Sequence, residues 1–564
     1  MQSDPAPHLP NPATTIDNAA MSRKTTVSEA LCAALLERGV DHVFGIPGDY
    51  ALGIFDVMTR SPLELINTCD EQGAGFAADA YARVRGLGAV CVTYGVGGLK
   101  LVNSTAQAYA ERSPVVVISG APGTAEVSSG ALLHHRVRDF GSQLRIFEEV
   151  TVAQAVLDDP LSAFGELQRV LNAAAATKRP VYIEIPRDCA HMAIDTSAVI
   201  ATRTAEPDPD TLAEAVAEAL AMLNAAARPV ILAGVEIHRF GLQDALLKFI
   251  ERARMPFATT IMGKSVVAES TPGFIGVYAG SLSNEAVREA VEDSDCVLNL
   301  GAMLTDLNTG IFTAELDPSR VIRASAEMLT IRHHHYAGVT LGSFVTALTA
   351  ADLRSRAPLA PSTHANPERF SPRADHAITV SRAFDCLETE LTGDIAVIAD
   401  PGDAMFGALD LTIHSRTEFL GCAYYASLGF AVPASIGVQM AQPQWRPLVL
   451  VGDGAFQMTG TEISTAARYG LTPIVIVLDN AGYGTERPML DGPFNDVQPW
   501  AVSEFTRVIG AGTGYSVATE TEFLAALRAA LDDRENLAII HVHLAADDFS
   551  PALRRLTSNL RQRV

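Results

Sequence analysis

Basic residues are scarce in this 564-residue chain: 42 Lys and Arg stand against 65 Asp and Glu, a formal net charge of -23. That balance repels polyanions and argues against a nucleic acid or an anionic membrane as partner, so any phosphate must be held by local geometry. Cysteine is sparse too. The seven (Cys32, Cys69, Cys91, Cys189, Cys296, Cys386, Cys422) form no Cys-x-x-Cys pair, which speaks against a cysteine-bound zinc or a disulfide framework and fits reduced thiols in a cytoplasm. No run of about 18 uncharged apolar residues occurs, and the first 22 residues, rich in Pro, Ala, Ser and Asn, lack the apolar stretch of a signal peptide. A soluble, cytoplasmic protein with a disordered tail at 1–22 is expected. Charged residues reach only 19% against 48% hydrophobic, too apolar for a disordered chain and too long for one core.

What is present is a repeated alternation of short apolar β-type runs with Ala-rich helical patterns, the signature of parallel sheets covered by helices on both faces. It starts where Thr25 and Thr26 can cap a helix with Val27, Leu31 and Leu35 on one face, stopping at Gly39. The reading is an α/β protein of three doubly wound parallel-sheet domains: 23–190, 208–355 and 374–548, with a closing amphipathic helix in 549–564. Pro-bearing punctuation separates them, at Pro186, at AEPDP (Ala205 to Pro209) and across the polar linker 356–373. Strands are expected at Val181 to Ile185, Pro229 to Gly234, Phe257 to Ile261, Cys296 to Leu300, Ile395 to Ala399, Leu448 to Val451 and Ile474 to Leu478.

The most informative stretch runs from Leu448 to Glu486, LVLVGDGAFQMTGTEISTAARYGLTPIVIVLDNAGYGTE. It parses as strand, Gly-Asp-Gly turn, helix, strand, Asp-Asn and a glycine turn. Parallel strands in such a unit bring Asp453 and Asn480 to one sheet edge. A carboxylate, an amide carbonyl and a backbone carbonyl near Gly482 make a hard oxygen set suited to Mg2+ that shares its other positions with phosphate and water. Gly452 and Gly454 let backbone approach closely. A lone Gly-Asp-Gly is usually only a turn; the spaced Asn and the glycine-rich return reverse that reading.

The segment resembles the diphosphate-binding motif of thiamine diphosphate enzymes. The likeness extends from about Thr25 to Leu553 and is nearest to the pyruvate, indolepyruvate and phenylpyruvate decarboxylase group. SGAPG at Ser119, the Tyr424–Tyr425 pair, GDGAFQMTG at Gly452 and, in the middle block, GVYAG and LGAMLTDLNTG carry it. The resemblance implies a pyrimidine-binding, a central Rossmann-like and a diphosphate-binding domain, with thiamine diphosphate and Mg2+ as cofactors. Where the family usually has Asn-Asn, this chain has Asp479-Asn480.

Glu71, in NTCDEQGAGFAADAYARVRG, opens an Ala-rich helix, where a carboxylate can be a plain helix-end charge. The small apolar neighbours Gly73 to Ala77 offer little water or counter-charge, so burial is expected to disfavour its ionised form. In the family this glutamate hydrogen-bonds the cofactor's pyrimidine nitrogen. Leu428, in YYASLGF, matches the wedge that bends the two cofactor rings, and the backbones of Ala426 and Leu428 match its pyrimidine contacts. Gly454 and Ala455 match the diphosphate cradle. Since the resemblance draws Glu71 from one chain and Asp453, Asn480 and Gly482 from another, a homodimer is the minimum and a homotetramer is expected.

By the same resemblance Asp49 in GIPGDYAL, His134 and His135 in ALLHHRV, and Glu486 handle a 2-keto acid substrate. Histidines titrate near neutral pH and suit a proton relay; adjacent ones are otherwise mostly structural. Glu486 would orient the substrate carboxylate. Asp403 in ADPGDAMFGA stands where many relatives have a small hydroxyl residue; it is either kept protonated, set against Mg2+ or a histidine, or merely turn-forming. Thr93 is a further polar pocket member. Glu236-Ile237 replaces the regulatory cysteine position of yeast-type relatives, so no thiol-based substrate activation is expected. Met405 and Phe549 to Leu553 are either apolar walls of the pocket or ordinary core. The implied reaction is non-oxidative decarboxylation of a 2-keto acid with an aryl or branched apolar side chain; the alternative is carboligation to an acyloin. A dinucleotide-binding protein has poor support, because GVGGLK at Gly95 does not fit Gly-x-Gly-x-x-Gly.

Overall fold

In the computed structural model, which describes residues 25–196, 207–362, 369–391, 393–413 and 419–560, the continuous apolar runs become strands buried on both faces. Val115–Ala121 is buried at every position and Arg446–Gly452 at all but the last. The expected tail 1–22 and part of both linkers lie outside the described residues. Thr26 caps the helix Val27–Glu37 in a reciprocal box with Glu29, and Gly39 takes a left-handed φ just beyond it, as the sequence pattern requires. Among the described residues no helix is long and apolar enough to cross a membrane.

The first sheet has six parallel strands in the order Glu64–Asn67, His42–Ile46, Gly88–Val92, Val115–Ala121, Val181–Pro186, Gln154–Val156. The third has the order Phe419–Gly421, Ile395–Ala399, Arg446–Gly452, Ile474–Asp479, Ala538–His543, Thr513–Val517, again all parallel. Numbered along the chain, both sheets read second, first, third, fourth, sixth, fifth. Each therefore has a switch point beyond its first and third strands, where helices leave to opposite faces and a crevice opens.

The middle sheet departs from the all-parallel expectation. Five strands, Phe274–Val277, Phe257–Thr259, Pro229–Ala233, Cys296–Leu300 and Val321–Ala324, are parallel, but Leu329–Ile331 and His334–Tyr336 add on as antiparallel strands. The links from Ala324 to Leu329 and from Ile331 to His334 are too short for a helical crossover and allow only hairpins.

The first and third domains share one apolar core. Its axis is the helix Glu71–Arg85 packed on Ala431–Ala441, an approach so close that a Cβ at Gly437 would fall 2.0 Å from the Ala77 carbonyl oxygen. Polar groups reinforce the seam: Arg83, paired with Asp79 at 2.8 Å, donates to the Gly421 carbonyl at 2.9 Å. Glu462 accepts from the Cys69 and Asp70 amides at 3.1 and 3.0 Å.

Candidate active site

The third sheet's crevice is a cavity of about 360 Å3. Asp453 starts the helix Asp453–Thr459 directly after its strand, and Asn480 follows the neighbouring strand, which pairs Gly452 with Leu478. Both line the cavity with Gly454, Ala455, Gly482 and Glu486. The Gly454 amide donates to Asp453 Oδ1 at 2.8 Å, and the Gly482 amide reaches the same carboxylate. The Asn480 amide nitrogen lies 2.6 Å from where a Cβ at Gly484 would be, so this turn needs a glycine to leave Asn480 its place. Asp453 is pushed up to about 7, first by burial and then by the facing Asp479. Asp479 is in turn held below the ordinary range, chiefly by His541, whose Nε2 lies 2.7 Å from its Oδ2. Two facing carboxylates beside an amide are short of positive charge, the condition a divalent cation relieves.

Asp403 lines the cavity and is pushed up to about 6 by burial. Its Oδ2 accepts from the Ser550 amide at 2.8 Å, while Oδ1 is buried without a protein partner. Of the open readings, this favours the proton-holding one: no histidine pairs with Asp403 among the described residues. Met405 is a wall, but Phe549 to Leu553 are not: Leu553 is turned into the core, and Leu544 and Leu556 face the cavity instead. Leu307 of the middle domain and Met489 complete the apolar lining.

Two buried acids that sequence reading missed hold the segment carrying Ala426 and Leu428. Glu111, from the first domain, accepts from the Tyr424 and Tyr425 amides at 2.8 and 3.0 Å. Asp400 accepts from the Gly429 and Ala431 amides at 2.9 and 2.8 Å. Between these anchors Ala426 takes φ 57°, a strained left-handed conformation for a non-glycine residue, and Leu428 stays half-buried at the cavity. Asp400 stands three residues before Asp403 at a strand end, a signal that could have been read; Glu111, in AERSP, gives none.

The remaining expected residues gather elsewhere, at the switch point of the first sheet. Asp49 Oδ2 lies 3.0 Å from His134 Nε2 and 3.6 Å from Arg187 Nη1. The His134 and His135 rings are 4.6 Å apart, and His135 Nδ1 is buried without a protein partner. Thr93, buried and likewise lacking a partner for Oγ1, packs against Gly48. A Cβ on Gly97 would meet both Thr93 and Glu71, and one on Gly95 would meet His135, so the set is contiguous. The expectation that Glu71 lacks a counter-charge is wrong: Lys100 Nζ lies 3.2 Å from Glu71 Oε2. The lysine is 29 residues away along the chain, and only folding brings it there. None of Asp49, Glu71, Thr93, His134 or His135 lines the third-domain cavity.

Two separate clusters of charged and polar groups thus stand at the switch points of two like-ordered sheets. The chain matches three family models: the thiamine pyrophosphate enzyme N-terminal TPP binding domain over residues 25–142, the central domain over 216–351 and the C-terminal TPP binding domain over 402–542. It is 38% identical over 541 residues to an indole-3-pyruvate decarboxylase of Azospirillum brasilense, covering 94% of this chain and 97% of that one. An alpha-keto-acid decarboxylase of Mycolicibacterium paratuberculosis is 34% identical over 540 residues, 94% of this chain and 95% of the relative. Its Mycobacterium tuberculosis counterpart is 32% identical over 546 residues, 95% and 97%. The chain thus belongs to the thiamine diphosphate-dependent 2-keto acid decarboxylase family, and is an enzyme of the carboxy-lyase class.

Proposed function

We propose that this enzyme converts a 2-keto acid with an aryl or branched apolar side chain to an aldehyde and CO2, at a site closed by two chains. The separation of the half-sites carries this reading. One chain offers Asp453, Asn480 and the Gly482 carbonyl to Mg2+, with Gly454 and Ala455 along the diphosphate. A second offers Glu71, Asp49, Thr93, His134 and His135. A homodimer is then the smallest active unit, with a homotetramer and a cytoplasmic setting as the fuller expectation.

Thiamine diphosphate supplies the nucleophilic carbon and the electron sink for loss of CO2. The protein's part is positional and protonic. Ala426 and Leu428, fixed by the two anchoring acids, present backbone and wedge to the rings. Glu71 would hold a proton where the cofactor's ring nitrogen would lie. The cavity lining of Leu307, Met405, Met489, Leu544 and Leu556 excludes water and favours a charge-dispersed state over a free carboxylate. Glu486 orients the substrate carboxylate; Asp49 with His134 and His135 holds the proton that the product carbon takes up. Asp403, kept neutral in part, adds a donor without a second full charge.

The test is purified protein with thiamine diphosphate and Mg2+ against a panel of 2-keto acids, measuring aldehyde and acyloin separately. Aryl or branched substrates should show the highest kcat/KM and aldehyde should dominate. Pyruvate ranking first would overturn the preference, and acyloin as main product would favour carboligation.

A further inference from the structure

Lys100 takes no part in the scheme above, yet it is placed against its central acid. It closes the short helix Val96–Lys100, and its ammonium reaches the start of the helix Glu71–Arg85, pairing with the Asp70 carboxylate and lying 3.2 Å from Glu71 Oε2. Asp70 already caps that helix through the Gln72 amide at 2.8 Å. Glu71 is the first helical residue and makes no other ion pair among the described residues. Its second oxygen, Oε1, lies 3.5 Å from where a Cβ on Gly97 would sit, a position that also meets Thr93. One carboxylate oxygen is therefore tethered, while no ion pair or hydrogen bond holds the other among the described residues.

We infer that Lys100 is a positioning residue for the activating glutamate, tying Glu71 Oε2 while Oε1 is left to the cofactor ring. This rests on the proposed role of Glu71. The other charged groups around Glu71 are Asp70 on the same turn and Glu462 from the third domain, bonded to the Cys69 and Asp70 amides. Both are acids, and burial pushes the Glu462 carboxyl up. Among the described residues Lys100 is the one cation paired with Glu71. A cation removed from beside the bound cofactor ring lets the ring's own proton leave at higher pH. Lys100 is half exposed, so screening weakens its pull on neighbouring charges relative to a buried pair.

The experiment uses holoenzyme reconstituted with thiamine diphosphate and Mg2+. It follows the pH midpoint of the bound cofactor's imino band by circular dichroism, with thiamine diphosphate affinity and thermal melting in parallel. Lys100→Met and Lys100→Gln should both raise the midpoint by about 0.5 to 1 unit while Lys100→Arg restores it, and affinity should change less than about tenfold. A midpoint unmoved in both neutral variants, with a lowered melting temperature, would mean that Lys100 only clamps the Asp70 cap, and the inference would fall alone. Parent protein that binds no thiamine diphosphate in the presence of Mg2+ would bring down the functional reading and this inference together.

Discussion

Replacing Asp400 by Asn probes how the segment carrying Ala426 and Leu428 is held. Asp400 is fully buried at the end of the strand Ile395–Ala399, no basic side chain pairs with it among the described residues, and burial raises its carboxyl from 3.8 to about 7. With the folded value above the unfolded one, the native state binds more protons than the unfolded chain between about pH 4 and pH 7. The stability this group contributes is complete below about pH 4 and is lost as pH rises through about 7. A separation of about three units, at 1.36 kcal/mol each, amounts to about 4 kcal/mol. Asparagine removes that titration but turns an NH2 toward one of the two backbone donors, which costs about 1–3 kcal/mol at every pH. Asp400→Asn should therefore be less stable than the parent near about pH 5, and equal or more stable near about pH 8.5. Urea unfolding of cofactor-free protein at both pH values measures this. A deficit of the same size at both would refute the account of Asp400 as an uncompensated buried acid.

Glu71→Gln and Asp453→Ala should each be nearly inactive, but co-refolding them in equal amounts should recover about a quarter of the parent activity, because half the dimers are mixed and each keeps one intact site; no recovery would place both residues in a single-chain site. Chelation of divalent cations should release thiamine diphosphate, measured by equilibrium dialysis, and Asp453→Ala should abolish its retention even in excess Mg2+. Gly437→Val should lower the melting temperature sharply, since its side chain has to displace the Ala77 carbonyl, and overpacking of this kind costs about 1–3 kcal/mol or more. Gly484→Ala, which crowds the Asn480 amide, should weaken Mg2+ binding in calorimetric titration with little change in melting temperature.

Chain spacing by itself determined the parts of this protein that are local. A strand, a turn, a helix and a strand of fixed length leave Asp453 and Asn480 at one sheet edge whatever surrounds them, and continuous apolar runs commit those strands to burial on both faces. Only the tertiary structure decided the partners that come from afar. Glu111 reaches the Tyr424 amide across 313 residues of sequence, Lys100 finds Glu71 through the packing of two short elements, and His541 draws Asp479 aside from another strand. The antiparallel end of the middle sheet followed from loop length, and the inward turn of Leu553 from its place on a packed helix. Residue types and local periodicity encode which chemistry is available; the burial, charge and direction each group receives depend on neighbours that periodicity cannot name.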